Sequence, residues 1–220
     1  MGKILQPKLS VALAACLLAT LTIGYAQSWN WIQPGDILYH PALYSDVGKV
    51  EPRLENLVFA PLKTTFGHVG LVDWYGYVIE ALSEGVVRQY TIAEFVQRYA
   101  ASIIPEVYVL RVRVPYEHRR EVIDRTIRFA WQQVGKPYEI ITFTGLAGKE
   151  VFGQSYYCSE LVWAAYQVGS GAYQSRGETF YGYINLDAGD GDQYIYPALE
   201  VTPNEIFRSP WTYCVGVLRP

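Results

Sequence analysis

Apolar and polar positions along the chain alternate in two different periods, and the switch between them sets out the elements. Trp29 to Gln33 leads into Pro34-Gly35-Asp36, a turn signal, and Ile37-Leu38-Tyr39 follows as a short strand. Residues 68–81, HVGLVDWYGYVIEA, hold two β-rich runs around Trp74-Tyr75-Gly76, the pattern of a hairpin with glycine in its turn. Glu84–Tyr90 continues as a further strand or strand-loop. Thr91-Ile92-Ala93-Glu94 places a hydroxyl three residues before a glutamate, so a helix starts at Thr91. Glu106–Val114 alternates strongly and predicts a strand that Pro115 ends.

The period then lengthens. Val122, Ile123, Ile127, Ala130, Trp131 and Val134 recur at helical spacing, which predicts a helix over 116–134 that Gly135 and Pro137 stop. Ser159–Val168 predicts a second, amphipathic helix that begins near Cys158. Thr202-Pro203-Asn204-Glu205 opens a short turn or helix, and Trp211–Leu218 is a last strand. Residues 40–66 read as irregular, with a short helix possible over 53–59. Residues 138–154 and 169–196 read as loops. There is no internal repeat and no linker, so the chain reads as one α+β domain with antiparallel strands.

The first 26 residues fall outside that domain. Lys3 and Lys8 precede thirteen uncharged, mostly apolar residues, Val11–Ile23, and Gly24-Tyr25-Ala26 supplies small residues at the −3 and −1 positions of a signal-peptidase site. The run is short of the ~20 residues that span a bilayer. The expectation is a signal peptide over 1–26, a domain over 27–220, and export to the periplasm or the medium. An uncleaved anchor and lipidation at Cys16 are the alternatives.

Composition narrows the chemistry. Of 220 residues, 50% are hydrophobic and 18% charged, which excludes a disordered chain. A net charge of −3 without a Lys/Arg run argues against a nucleic-acid partner. Three His and three Cys are too few and too scattered for a zinc framework. Asp187, Asp190 and Asp192 lack the closing bidentate glutamate of a calcium loop. No metal or organic cofactor is therefore expected.

Three residues carry candidate chemistry. Cys158 lies at the start of a helix, where unpaired N–H groups and the helix dipole favour a thiolate and can stabilise an oxyanion. An isolated cysteine is equally the pattern of a buried core residue, and Cys158 with Cys214 would also suit one disulfide. His68 opens the first hairpin strand, and neutral imidazole is the usual base for a thiol. Glu80 lies twelve residues on, where a turn at 74–76 returns the chain to the level of residues 68–70. A carboxylate there orients an imidazole, although an edge-strand surface glutamate has the same sequence. His40 at a strand end lacks a defined partner. His118, among Glu117, Arg119 and Arg120, reads as a solvated face. Glu160 reads as a complement to the positive helix end, and Cys214 as core.

These segments carry a resemblance. His68-Val69-Gly70-Leu71-Val72 with Val78-Ile79-Glu80-Ala81, and Cys158-Ser159 followed by Leu161-Val162, resemble the histidine, third-residue and nucleophile motifs of NlpC-type cysteine hydrolases. Here the histidine precedes the cysteine by ninety residues. That order resembles the YiiX/YebB-like permuted papain-like amidases. Pro34-Gly35-Asp36-Ile37-Leu38, Gly135-Lys136-Pro137-Tyr138, and Thr202-Pro203 followed by Ser209-Pro210 fit the same branch. Glu139 departs from it, where aspartate is expected.

The resemblance implies a circularly permuted papain-like fold with an antiparallel sheet packed against helices. It implies Cys158 as nucleophile, His68 as general base, Glu80 as orienting residue, and the Cys158 backbone N–H as one oxyanion donor. Cys158 would then be unpaired and Cys214 a free buried thiol. The expected activity is cleavage of an amide or ester in a small amide, short peptide or acyl substrate, with membrane proximity possible. Lipid acyl transfer, cell-wall peptide hydrolysis and an inert binding protein are the alternatives.

Overall fold

The computed structural model describes residues 29–41, 67–82, 86–102, 104–139, 149–171, 184–187 and 201–220. The leader over 1–26 lies outside the described residues, as do most of the 40–66 and 169–196 segments and the middle of 138–154. Among the described residues, six strands form one sheet and four helices pack with it.

The strands are β1 (Ile37–His40), β2 (His68–Val72), β3 (Tyr77–Leu82), β4 (Val86–Thr91), β5 (Val107–Val112) and β6 (Thr212–Leu218). Their order in the sheet is β4-β3-β2-β1-β5-β6, antiparallel at every neighbour. The hairpin β2–β3 turns through Asp73–Gly76. The Asp73 carboxylate accepts from the Tyr75 and Tyr77 N–H groups at 2.8 and 2.9 Å, and this local cap fixes the register. Leu71 pairs with Ile79 and Val72 with Val78.

The helices are α1 (Ile92–Gln97), α2 (Tyr116–Gln132), α3 (Cys158–Gly169) and α4 (Pro203–Arg208). Reciprocal capping boxes start α1 at Thr91/Glu94 and α4 at Thr202/Glu205. α1 buries Ile92, Phe95 and Val96. α2 buries Val122, Ile123, Thr126, Ile127, Phe129 and Ala130 and runs against α3.

α3 differs from its sequence reading. It is buried at every position but Val168, so it is the central helix of the core and not an amphipathic surface helix. α2, β2, β3 and α4 all pack on it, and a helix enclosed that way has no polar face to solvate. The core between α3 and the sheet includes Tyr39, Val69, Leu71, Ile79, Leu161, Val162 and Ala165.

The Pro-Gly-Asp turn before β1 is a structural device. Gly35 adopts φ +84°, and a Cβ there would run into Ile123 of α2. Its carbonyl accepts from Tyr166 Oη–H of α3. Asp36 is fully buried and takes both Nε and Nη2 of Arg111, at 2.8 and 2.7 Å.

Cys214 also differs from its sequence reading: it is free and exposed, not a buried core thiol. β6 is the edge of the sheet, and its register shifts where Val109 pairs with Gly216 and Leu110 with Cys214. Val215 is the extra residue of that irregularity, so strict alternation does not decide what the strand buries.

Candidate active site

Cys158 is the first residue of α3 and is buried. Tyr157 holds the N-cap position in extended conformation, and its N–H donates to Glu160 Oε2 at 3.3 Å. Tyr157 Oη accepts from Val201 N–H at 2.9 Å, which ties the helix that begins at Cys158 to the segment that leads into α4. His68, the Val69 backbone N–H and Ser159 all face the sulfur, with Ser159 Oγ at 4.0 Å.

His68 and Glu80 meet as the hairpin reading expected. His68 Nε2 lies 2.5 Å from Glu80 Oε2. Glu80 is fully buried, and the His68 side chain keeps 18% of its exposure. Gly70 follows His68 by two residues on β2 and packs next to Glu80 of β3. A Cβ at Gly70 would overlap Val78 Cγ1 and come within 3.2 Å of Phe95 Cε2 and 3.4 Å of Glu80 Cβ. Glycine there leaves the space that the Val78 side chain, the Phe95 ring edge and the stem of Glu80 occupy. The His68 ring stacks on Phe95 with centroids 5.7 Å apart.

The charges reinforce one another. Burial disfavours the imidazolium, but the facing Cys158 sulfur and Glu80 outweigh it and raise His68 to about 9. Burial disfavours the Cys158 thiolate, yet the imidazolium beside it holds the thiol below its usual range. Burial also opposes ionisation of Glu80, and hydrogen bonds from His68 and Arg98 overcome it to hold the carboxyl below the usual carboxylate range. The arrangement favours thiolate, imidazolium and carboxylate together.

Arg98 is the residue that sequence reasoning missed. It is the C-cap residue of α1, and its Nη1 and Nη2 donate to Glu80 Oε2 and Oε1 at 2.9 and 2.7 Å. Its guanidinium also lies over the Tyr90 and Phe95 rings, 5.0 and 5.5 Å from their centroids. The sequence carried one signal for it, the capping box that fixes where α1 begins and hence where Arg98 lands.

The other candidates make their own contacts, although His40 pairs with His68 across β1 and β2 and so adjoins the site. His40 is buried, stacks on Tyr99 at 3.7 Å, and its Nε2 lies 2.8 Å from the Ile104 carbonyl oxygen. His118 is half-buried in the first turn of α2. Glu160 complements the start of α3 as expected, but from full burial. It accepts from Glu150 N–H at 2.7 Å as well as from Tyr157, and burial pushes its carboxyl up to about 8. Glu139 accepts from Ser155 Oγ–H at 3.1 Å. Asp187 pairs with Lys149, while Asp190 and Asp192 lie outside the described residues. Among the described residues, no three His, Cys, Asp or Glu side chains converge as a metal-ion donor set.

A helix-borne cysteine beside a strand-borne histidine, with histidine first in the chain, defines a papain-like thiol hydrolase in permuted order. The chain belongs to the permuted papain-like amidase family YaeF/YiiX, C92, whose model matches residues 31–216. Among solved structures it is similar to the metalloprotein YiiX of Escherichia coli O157:H7, at 19% identity and a TM-score of 0.50. That match covers 86% of this chain and 98% of the other. No curated protein matches it.

Proposed function

We propose that this cysteine hydrolase cleaves an amide or ester bond through Cys158, His68 and Glu80. The observation that carries the reading is the 2.5 Å contact of His68 Nε2 with Glu80, made while the same ring faces the Cys158 sulfur. With Nε2 held by the carboxylate, Nδ1 is the nitrogen left for the thiol. The Cys158 thiolate attacks the carbonyl carbon, and the backbone N–H of Cys158 at the helix start is a donor for the oxyanion. His68 protonates the leaving amine or alcohol, and water, deprotonated by the same ring, releases the acyl group from sulfur.

The substrate is a small amide, a short peptide or an acyl-amide. The family match spans most of the chain, and the acidic balance disfavours adhesion to anionic wall polymers. The solved neighbour is described as a metalloprotein. Among the described residues here, no three His, Cys, Asp or Glu side chains converge as a metal-ion donor set.

The chain is exported, with cleavage after Ala26. Lys3, Lys8 and the apolar run over 11–23 support this, and mass spectrometry of the protein from its host tests it. An N-terminus at Met1 or a lipidated Cys16 overturns that route. Turnover of acyl-amides and esters of increasing chain length, compared with release of peptides from purified sacculi, tests the substrate. Cys158→Ala and His68→Ala each abolish turnover. Cys158-dependent cleavage of sacculi alone, with no acyl substrate turned over, refutes the small-substrate reading.

A further inference from the structure

Glu80 has a second partner whose placement bears on the proton of His68. A carboxyl group taken wholly out of water tends to be neutral unless charged or hydrogen-bonding partners hold it ionised. A neutral Glu80 has an O–H to donate. Donated to His68 Nε2, it would place the ring's own proton on Nδ1, the nitrogen that faces Cys158. That tautomer has no lone pair to accept the thiol proton. An ionised Glu80 only accepts, so Nε2 carries the proton and Nδ1 is free for sulfur.

We propose that Arg98 is a positioning residue of the thiol site: its guanidinium fork grips both oxygens of Glu80, keeps them acceptors, and thereby holds a proton on His68 Nε2 so that Nδ1 serves Cys158, taking the thiol proton and pairing with the thiolate. This rests on the triad reading above.

Three observations carry it. The two N–H···O contacts run to different oxygens at 2.9 and 2.7 Å, which fixes the carboxylate plane as well as its charge. Glu80 Oε2 is shared between Arg98 and His68, so the fork sets the direction of the histidine contact. The Phe95 ring lies against both the Arg98 guanidinium and the His68 ring, so α1 holds the two cations on either side of one carboxylate.

His40 pairs with His68 across β1 and β2 and stacks on Tyr99, and Glu94 of α1 is a second carboxylate near Arg98. Arg88, opposite Glu80 on β4, directs Nη1 to Tyr90 Oη at 3.3 Å. Tyr90 lies under Arg98. Tyr99 faces Glu80 and Cys158, and burial raises its hydroxyl far enough to keep it protonated throughout an assay near neutrality. Cys158 faces His68, Ser159 and the Val69 N–H.

The test is the pH dependence of Cys158 alkylation by iodoacetamide in a Cys214→Ser background, followed by peptide mass spectrometry, with melting temperature read in parallel. Arg98→Met is expected to move the midpoint of thiolate reactivity up by about one pH unit or more, a loss of about tenfold on the acid side. Arg98→Lys keeps the charge and is expected to return the midpoint most of the way. It is also the working variant if Arg98→Met fails to fold. In that case the proposal requires Arg98→Lys, which lacks the fork, to react more slowly than wild type at equal pH. A merely structural role lowers the melting temperature and leaves the midpoint in place, and that result in a folded Arg98 variant overturns the proposal. His68→Ala separates the two readings. If it leaves acid-side reactivity at the wild-type level, the triad itself fails. If it abolishes that reactivity while Arg98→Met does not, only the Arg98 assignment fails.

Discussion

Replacing Glu80 by glutamine changes one atom and removes one charge, and the surroundings leave the amide no good orientation. Both carboxylate oxygens accept from Arg98, and one also accepts from His68. If the amide oxygen faces His68, the NH2 group meets Arg98 donors. If the oxygen faces Arg98, the NH2 group meets Nε2 and drives the ring to the tautomer with Nδ1–H against sulfur. Either way the imidazolium loses its anionic partner, a change worth about 1.5–3 kcal/mol, or roughly 10- to 150-fold in an equilibrium that sets the thiolate fraction. The measurement is the second-order rate constant for Cys158 alkylation at pH 6 in the Cys214→Ser background. Glu80→Gln is expected to react about 10- to 150-fold more slowly, with turnover falling at least in parallel. The exposed Cys214 makes the background substitution necessary, because total labelling would otherwise count it as well. A folded Glu80→Gln protein with wild-type alkylation and turnover would place Glu80 outside the chemistry and refute the reasoning.

Two further outcomes follow from the same geometry. Gly70→Ala forces a Cβ into Val78 and against Phe95, so it is expected to cost about 1–3 kcal/mol by overpacking and to slow turnover, while chemical denaturation and kinetics on one preparation check both; neutrality in both measures removes the steric role. Glu160 is fully buried and its carboxyl is pushed up from 4.5 to about 8, so the folded protein holds one proton more than the unfolded chain between those values and stability falls as pH rises through that window. Glu160→Gln is expected to flatten that fall, by up to about 1.4 kcal/mol per pH unit, in chemical denaturation at several pH values, and an unchanged slope speaks against a raised carboxyl.

The sequence by itself determined what short-range chemistry decides. The capping boxes at Thr91 and Thr202 mark helix starts because a hydroxyl and a glutamate three residues apart satisfy each other's backbone. The His68–Glu80 contact was legible because a four-residue turn, locked by Asp73, returns the chain within twelve residues. The ninety residues from His68 to Cys158 carry no such signal. Only the packing of α3 on β2 and β3 brings the sulfur to the ring, and the family motifs stood in for that knowledge. Arg98 was illegible because a six-residue helix has too few turns to show which way its last side chain faces. The Phe95 and Val96 contacts with the fold decide that direction. The burial of Glu160 and the exposure of Cys214 were illegible for the same kind of reason. Helix α3 is enclosed on all sides, so a glutamate in its first turn is buried, while Cys214 sits on an irregular edge strand that leaves an apolar-looking residue in solvent. Burial belongs to the assembled fold, and local pattern reports it only where an element has one covered face.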